Sequence, residues 1–171
     1  MEEKPSSARL ALKWGLIIGI ASILFSTILY VTDQVGNTAL SIVAYAIIII
    51  GLVMAMREYR SLNNNYMSYG EGLGLGALTS GVAGILSSLY GVLYTNMIDT
   101  EFQNRMMDQM RVQYEERGMT DDQIDKAMEF GQMFQSPGLL FIFGVLGTIF
   151  MGFIFSLVIA AILRRNRPVF D

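Results

Sequence analysis

Hydrophobic positions along this chain gather into four uncharged runs, separated by two short polar connections and a long one. The runs cover residues 14–31, 39–56, 72–98 and 137–163. The stretch Ile47-Ile48-Ile49-Ile50 would suit a buried strand, but uninterrupted apolar runs of this length predict helices. A bilayer core about 30 Å thick takes roughly 20 mostly apolar residues as a helix. The expected fold is therefore all-α, an integral membrane protein with four transmembrane helices. The third and fourth runs have 27 residues each, which at the helical rise make about 40 Å. They are expected to tilt, or to project toward the segment that joins them.

That joining segment, residues 99–136, is the one sizeable polar stretch and reads as a helical hairpin. A first helix is expected over about 100–117, with Asp99 as N-cap and Gly118 just past its end. Thr120-Asp121-Asp122-Gln123 has the pattern of a capping box and opens a second helix to about Phe134. Ser136-Pro137 then caps and starts the last span. Phe102, Met106, Met110 and Tyr114 repeat at i+4 on the first helix, and Ile124, Ala127, Met128, Gly131 and Phe134 make a similar face on the second. These faces either pack on each other or on the span ends, bind a partner protein, or lie on lipid. Phe102, Met106, Met110, Tyr114, Ile124 and Met128 are the candidate partner surface, because Met-rich faces adapt to varied partners.

Small residues mark two of the spans. Gly72, Gly76, Ser80, Gly84 and Ser88 fall four apart on the third, and Gly144, Thr148, Gly152, Ser156 and Ala160 do so on the fourth. Lipid tails remove the hydrophobic drive between helices, so close backbone approach has to hold them together. The two stripes are expected to pack on one another, with Gly15 and Gly19 of the first span nearby; a glycine-lined path is the competing reading. Gly70-Glu71-Gly72-Leu73-Gly74-Leu75-Gly76 resembles a phosphate loop only superficially, since it opens a membrane helix rather than following a strand. Glu71 is the best single functional candidate. It is expected to pair with Arg57 or Arg60 or to stabilise its helix N-terminus, and otherwise to serve as a substrate or proton site.

Composition narrows the function. Only 16% of residues are charged, against about a quarter in soluble domains, which sets the chain apart from ordinary soluble enzymes. The absence of His and Cys removes thiol nucleophiles, disulfides and imidazole acid–base chemistry. Seven of 12 methionines lie between Met97 and Met133, and Met107-x-x-Met110 has soft ligands for copper(I). Without His or Cys beside them, neither metal nor cofactor is expected. Glu115-Glu116 and Asp121-Asp122 read as solvated helix faces, so no catalytic residues are assigned and no enzyme is expected. The net charge of -3 excludes the basic surface typical of nucleic-acid binding.

Eight of the 12 Lys and Arg residues lie at the N-terminus (Lys4, Arg9, Lys13), in the second connection (Arg57, Arg60) and in the tail (Arg164, Arg165, Arg167). The hairpin holds the other four against nine acids. The positive-inside rule then places both termini in the cytoplasm and the hairpin outside. The first span is expected to be an uncleaved anchor, because its apolar run is long for a signal peptide and no A-x-A-like site follows.

The entry Ala11-Leu12-Lys13-Trp14-Gly15-Leu16-Ile17, then Tyr69-Gly70-Glu71-Gly72, Gly118-Met119-Thr120-Asp121-Asp122-Gln123-Ile124, Ser136-Pro137-Gly138 and the basic end Ile162-Leu163-Arg164-Arg165-Asn166-Arg167-Pro168 together resemble the bacterial membrane-protein family of domain of unknown function 4199. The resemblance implies a small bacterial multi-pass membrane protein and carries no activity, substrate or catalytic residues; the expected location is the bacterial inner membrane. The expectation is one membrane domain over 1–171. Its function is a non-enzymatic scaffold or accessory subunit that presents the hairpin to a membrane or periplasmic partner or to a second copy. The alternative is a small oligomeric transporter or channel using Glu71 and the glycine stripe.

Overall fold

A computed structural model describes residues 5–166. Lys4 and Arg167, counted above among the basic flanks, lie outside the described residues. Among those described, the chain is all-helical: α1 (Ser7–Val31), α2 (Thr38–Leu62), α3 (Tyr69–Leu93), α4 (Phe102–Glu116), α5 (Asp121–Gln132) and α6 (Pro137–Leu163), with a π-helical turn, Tyr94–Ile98, ending α3. Ser7–Val31, Thr38–Leu62, Tyr69–Ile98 and Pro137–Leu163 are each long and apolar enough to cross a membrane.

Helix ends follow side-chain chemistry more closely than hydropathy. α1 starts a full two turns before Trp14, because the Ser6 hydroxyl accepts from Arg9 N–H at 3.3 Å and Leu10 and Ala11 are buried. Apolar counting passes over that amphipathic start. α2 likewise runs past Met56 to Leu62, and buried Tyr59 explains the extension. Asp33, with φ +51°, stands just past α1 in the left-handed region, where short polar side chains are tolerated. α6 spans the expected residues from its proline onward, with Leu139 N–H donating to the Ser136 hydroxyl.

The chain forms two compact units, one of residues up to Ser87 together with Gly144 onward, the other Ser88–Phe143. In the first, buried side chains gather where α1 begins, α2 ends, α3 begins and α6 ends. Leu10, Ala11, Leu52, Met56, Tyr59, Met67, Leu75 and Ala160 belong to this cluster. Away from it, Leu24, Ile42, Leu146 and Phe150 are exposed. Such a broad apolar surface on four long helices is what lipid covers.

The second unit contains the hairpin. α4 does not begin at residue 100: Asp99 is drawn into an ion pair with Arg105, and the first helical residue is Phe102. Its C-terminal end is a Schellman motif, with Met119 N–H donating to Tyr114 O at 3.1 Å and Gly118 N–H to Glu115 O at 2.9 Å. Gly118 has φ +76°, a conformation that glycine adopts without a Cβ clash. The capping box of α5 is present, the Gln123 side chain accepting from Thr120 N–H at 3.1 Å. α5 ends at Gln132, two residues short of Phe134.

Candidate functional site

The small-residue stripes of α3 and α6 meet face to face over the part that lies in the first unit. A Cβ added to Gly72 would fall 2.8 Å from Ala160 Cβ, and one added to Gly84 would fall 2.9 Å from Thr148 Cβ. At Gly76 it would overlap Ser156 Oγ outright, and at Gly152 it would overlap Ser80 Oγ. The stripes therefore interlock, each hydroxyl-bearing side chain filling the space opposite a glycine. Ser156 Oγ donates to Gly152 O at 2.7 Å and Thr148 Oγ1 to Gly144 O at 2.8 Å, so these hydroxyls are satisfied within α6. On α3, Thr79 Oγ1 and Ser80 Oγ are buried without a hydrogen-bond partner. Gly15 and Gly19 of α1 close on the same helix, against Val82 and Leu86.

Glu71 sits at the start of α3 and is half-buried. Its Oε2 accepts from Ser68 N–H at 2.8 Å and from Ser68 Oγ at 3.0 Å. Glu71 N–H in turn approaches Ser68 Oγ at 3.3 Å. This reciprocal pair is a capping box, and the acid also lies at the positive end of the helix dipole. Arg60, one of its two expected ion-pair partners, donates from Nη1 to Leu163 O at 3.2 Å, at the last turn of α6. Arg57 is exposed.

Around that end the structure adds contacts that no sequence pattern announced. Met67 and Arg165 exchange both backbone hydrogen bonds, at 2.9 and 2.8 Å, as an isolated antiparallel bridge. The Arg165 guanidinium lies over the Tyr66 ring at 5.7 Å, and buried Asn63 holds the connection by donating to Tyr66 O at 2.8 Å. Glu58 is the missed acid: Lys13 Nζ is 2.8 Å from both of its oxygens, and Trp14 Nε1 donates to it at 2.7 Å. Its one available signal was a lone carboxylate between Arg57 and Arg60. The basic residues Lys13, Arg60 and Arg165 thus tie α1 to α2, α2 to α6, and the α6 end to the α2–α3 connection.

A family model for a protein of unknown function, DUF4199, matches residues 13–165. The chain belongs to the DUF4199 family. No curated protein and no solved structure matches it. The DUF4199 match begins at Lys13, the residue that pairs with Glu58, and ends at Arg165, the residue bridged to Met67. The DUF4199 description carries no activity.

In the hairpin of this DUF4199 member, the candidate partner surface is only partly open. Phe102, Met106, Met110, Tyr114 and Met128 are half-buried, and Ile124 is fully buried. α4 and α5 are also joined by polar contacts, with Arg111 3.6 Å from Asp125. Met107 Sδ accepts from Gln135 Nε2 at 2.9 Å. The Arg105 fork on Asp99, helped by the Glu101 and Phe102 backbone, holds the Asp99 carboxyl below its ordinary range. Among the described residues, no three His, Cys, Asp or Glu converge where a metal ion could be held.

Proposed function

We propose that this DUF4199 protein is a non-enzymatic membrane scaffold or accessory subunit, lodged in a bacterial inner membrane, whose acidic Met-rich hairpin meets a partner protein or a second copy. The observation that carries this reading is the interlocked α3–α6 seam, in which Ser156 fills the space beside Gly76 and Ser80 the space beside Gly152. A packed seam supports a structural role for the stripe, and the Ser68–Glu71 capping box supports a structural role for the best-placed acid. What is left to act on other molecules is the hairpin, the one extended polar element in a chain of apolar helices. The basic flanks support cytoplasmic termini with the hairpin extracytoplasmic.

The second reading, a small transporter or channel, draws on Thr79 Oγ1 and Ser80 Oγ, two buried hydroxyls without partners on α3. Unpaired hydroxyls in apolar surroundings are unfavourable by about 1–3 kcal/mol and are sometimes kept for a ligand. The tight contact of Ser80 with Gly152 weighs against it.

The test is crosslinking in native membranes followed by affinity purification and mass spectrometry. The intact chain is compared with one whose residues 99–135 are replaced by a Gly-Ser linker. A specific partner, or a crosslinked second copy, that disappears with the hairpin is the expected result. Identical association with and without the hairpin, in a variant that inserts normally, would overturn the proposal.

A further inference from the structure

The hairpin carries an apolar surface that the candidate partner face did not include. Phe130 is 63% exposed and Met133 69%, at and just past the last turn of α5. Phe130 stacks edge-on against Phe134 at 5.1 Å, and Phe134 against Phe143 of α6 at 5.6 Å. Phe143 is itself half exposed, with Leu139 and Ile142 beside it on the first turns of α6. The exposed patch on α5 is therefore continuous with the outer surface of a helix that has the length and composition of a membrane span.

Charge and length place this patch in depth. After Glu129 no charged residue occurs until Arg164, so the uncharged stretch begins in the last turn of α5 and not at Pro137. If Arg164 marks one boundary of the hydrocarbon, a core about 30 Å thick accounts for roughly 20 helical residues before it. Counting back along α6 reaches the neighbourhood of Gly144, and Phe143 stands at the opposite boundary. The turns from Pro137 to Phe143, and the α5 rings stacked on them, then fall at headgroup level, where amphipathic helices bury their apolar side. The other end of α5 has the opposite character: Asp121, Asp122 and Asp125 are exposed and remain in water.

We infer that the C-terminal end of α5 is a lipid-contacting foot, with Phe130, Met133 and Phe134 seated in the interfacial layer of the bilayer. The foot anchors one end of the hairpin to the membrane surface while its acidic end stays solvated. The inference stands apart from the scaffold reading, since it concerns lipid and predicts nothing about a protein partner.

The chain has no cysteine, so single-cysteine variants of the full-length protein report without background. Met133→Cys is compared with Asp122→Cys as the water reference and Phe150→Cys, exposed at mid-span, as the lipid reference. Each is labelled in detergent with a polarity-sensitive fluorophore and reconstituted in phosphatidylcholine vesicles with or without brominated acyl chains. The fluorophore at 133 is expected to emit to the blue of that at 122 and to lose intensity in brominated lipid, between the two references. Emission as red as at position 122 would overturn the inference. So would a blue shift without bromine quenching, which would mean that protein covers the site.

Discussion

Glu71 shows how a residue that looks functional in a sequence can be explained by its backbone. An acid at the mouth of a glycine-rich membrane helix invites a proton or substrate role, yet its carboxylate is engaged by Ser68 on both backbone and side chain. A capping box works with Gln as well as Glu, so the two roles separate by substitution. Because Gln keeps the cap and Ala removes it, Glu71→Ala is expected to lower thermal stability in detergent by about 1 kcal/mol more than Glu71→Gln does, the usual loss for a cap. A large loss on Glu71→Gln would mean that the charge, not the cap, is what matters. Glu58 is the converse case. Its contacts with Lys13 and Trp14, 45 and 44 residues away in sequence, depend on α1 lying against α2. No local pattern encodes that, so nothing marks the acid out between its two arginines.

Helices and their faces were the most legible level, because the bilayer demands long uncharged runs and cap chemistry is local. All four spans and both hairpin helices could be read, with α6 matching residue for residue. The errors lie at amphipathic ends such as Ser7–Lys13, where charged residues mask a helix from apolar counting. Periodicity could also show the seam's two stripes, since both are runs of small residues at a fixed spacing, but not that Ser156 sits opposite Gly76. That pairing makes a sharp prediction. Gly76→Ala should destabilise the bundle by about 1–3 kcal/mol, the range for overpacking. Gly74→Ala, where an added Cβ meets nothing within 4 Å, should be neutral or stabilising by roughly 0.5–1 kcal/mol from helix propensity. Thermal melting of both variants in the same detergent checks the contrast. In the hairpin, the Asp99–Arg105 pair supplies a pH dependence. Arg105 lowers the Asp99 pKa in the folded state below its value of 3.8 in the unfolded chain. The stabilisation is thus complete above that value and is lost as pH falls through the lower, folded one. Hydrogen exchange at the start of α4, corrected for intrinsic rates, should rise over that acidic window in wild type and lack that added rise in Asp99→Asn.

Taken as one molecule, the chain is a DUF4199 protein with four helices fit to cross a membrane and a helical hairpin before the last of them. The amphipathic faces of the hairpin were legible, but what they face was not. Buried Ile124 and the exposed Phe130 and Met133 lie within one short stretch of chain and look alike in sequence. Likewise nothing in a basic tail foretells that Arg165 will bridge to Met67; such pairing arises only when distant helix ends converge. If the α3–α6 seam is packing, it offers a solute no path, and flux through the bilayer is the measurement that decides the matter. The purified protein would be reconstituted in proteoliposomes and assayed with protons, alkali cations, amino acids and small anions. Rates indistinguishable from protein-free vesicles are expected for every solute. A saturable flux above that baseline, lost on Glu71→Gln in a variant that folds and inserts normally, would show that the seam opens and that Glu71 serves more than its helix.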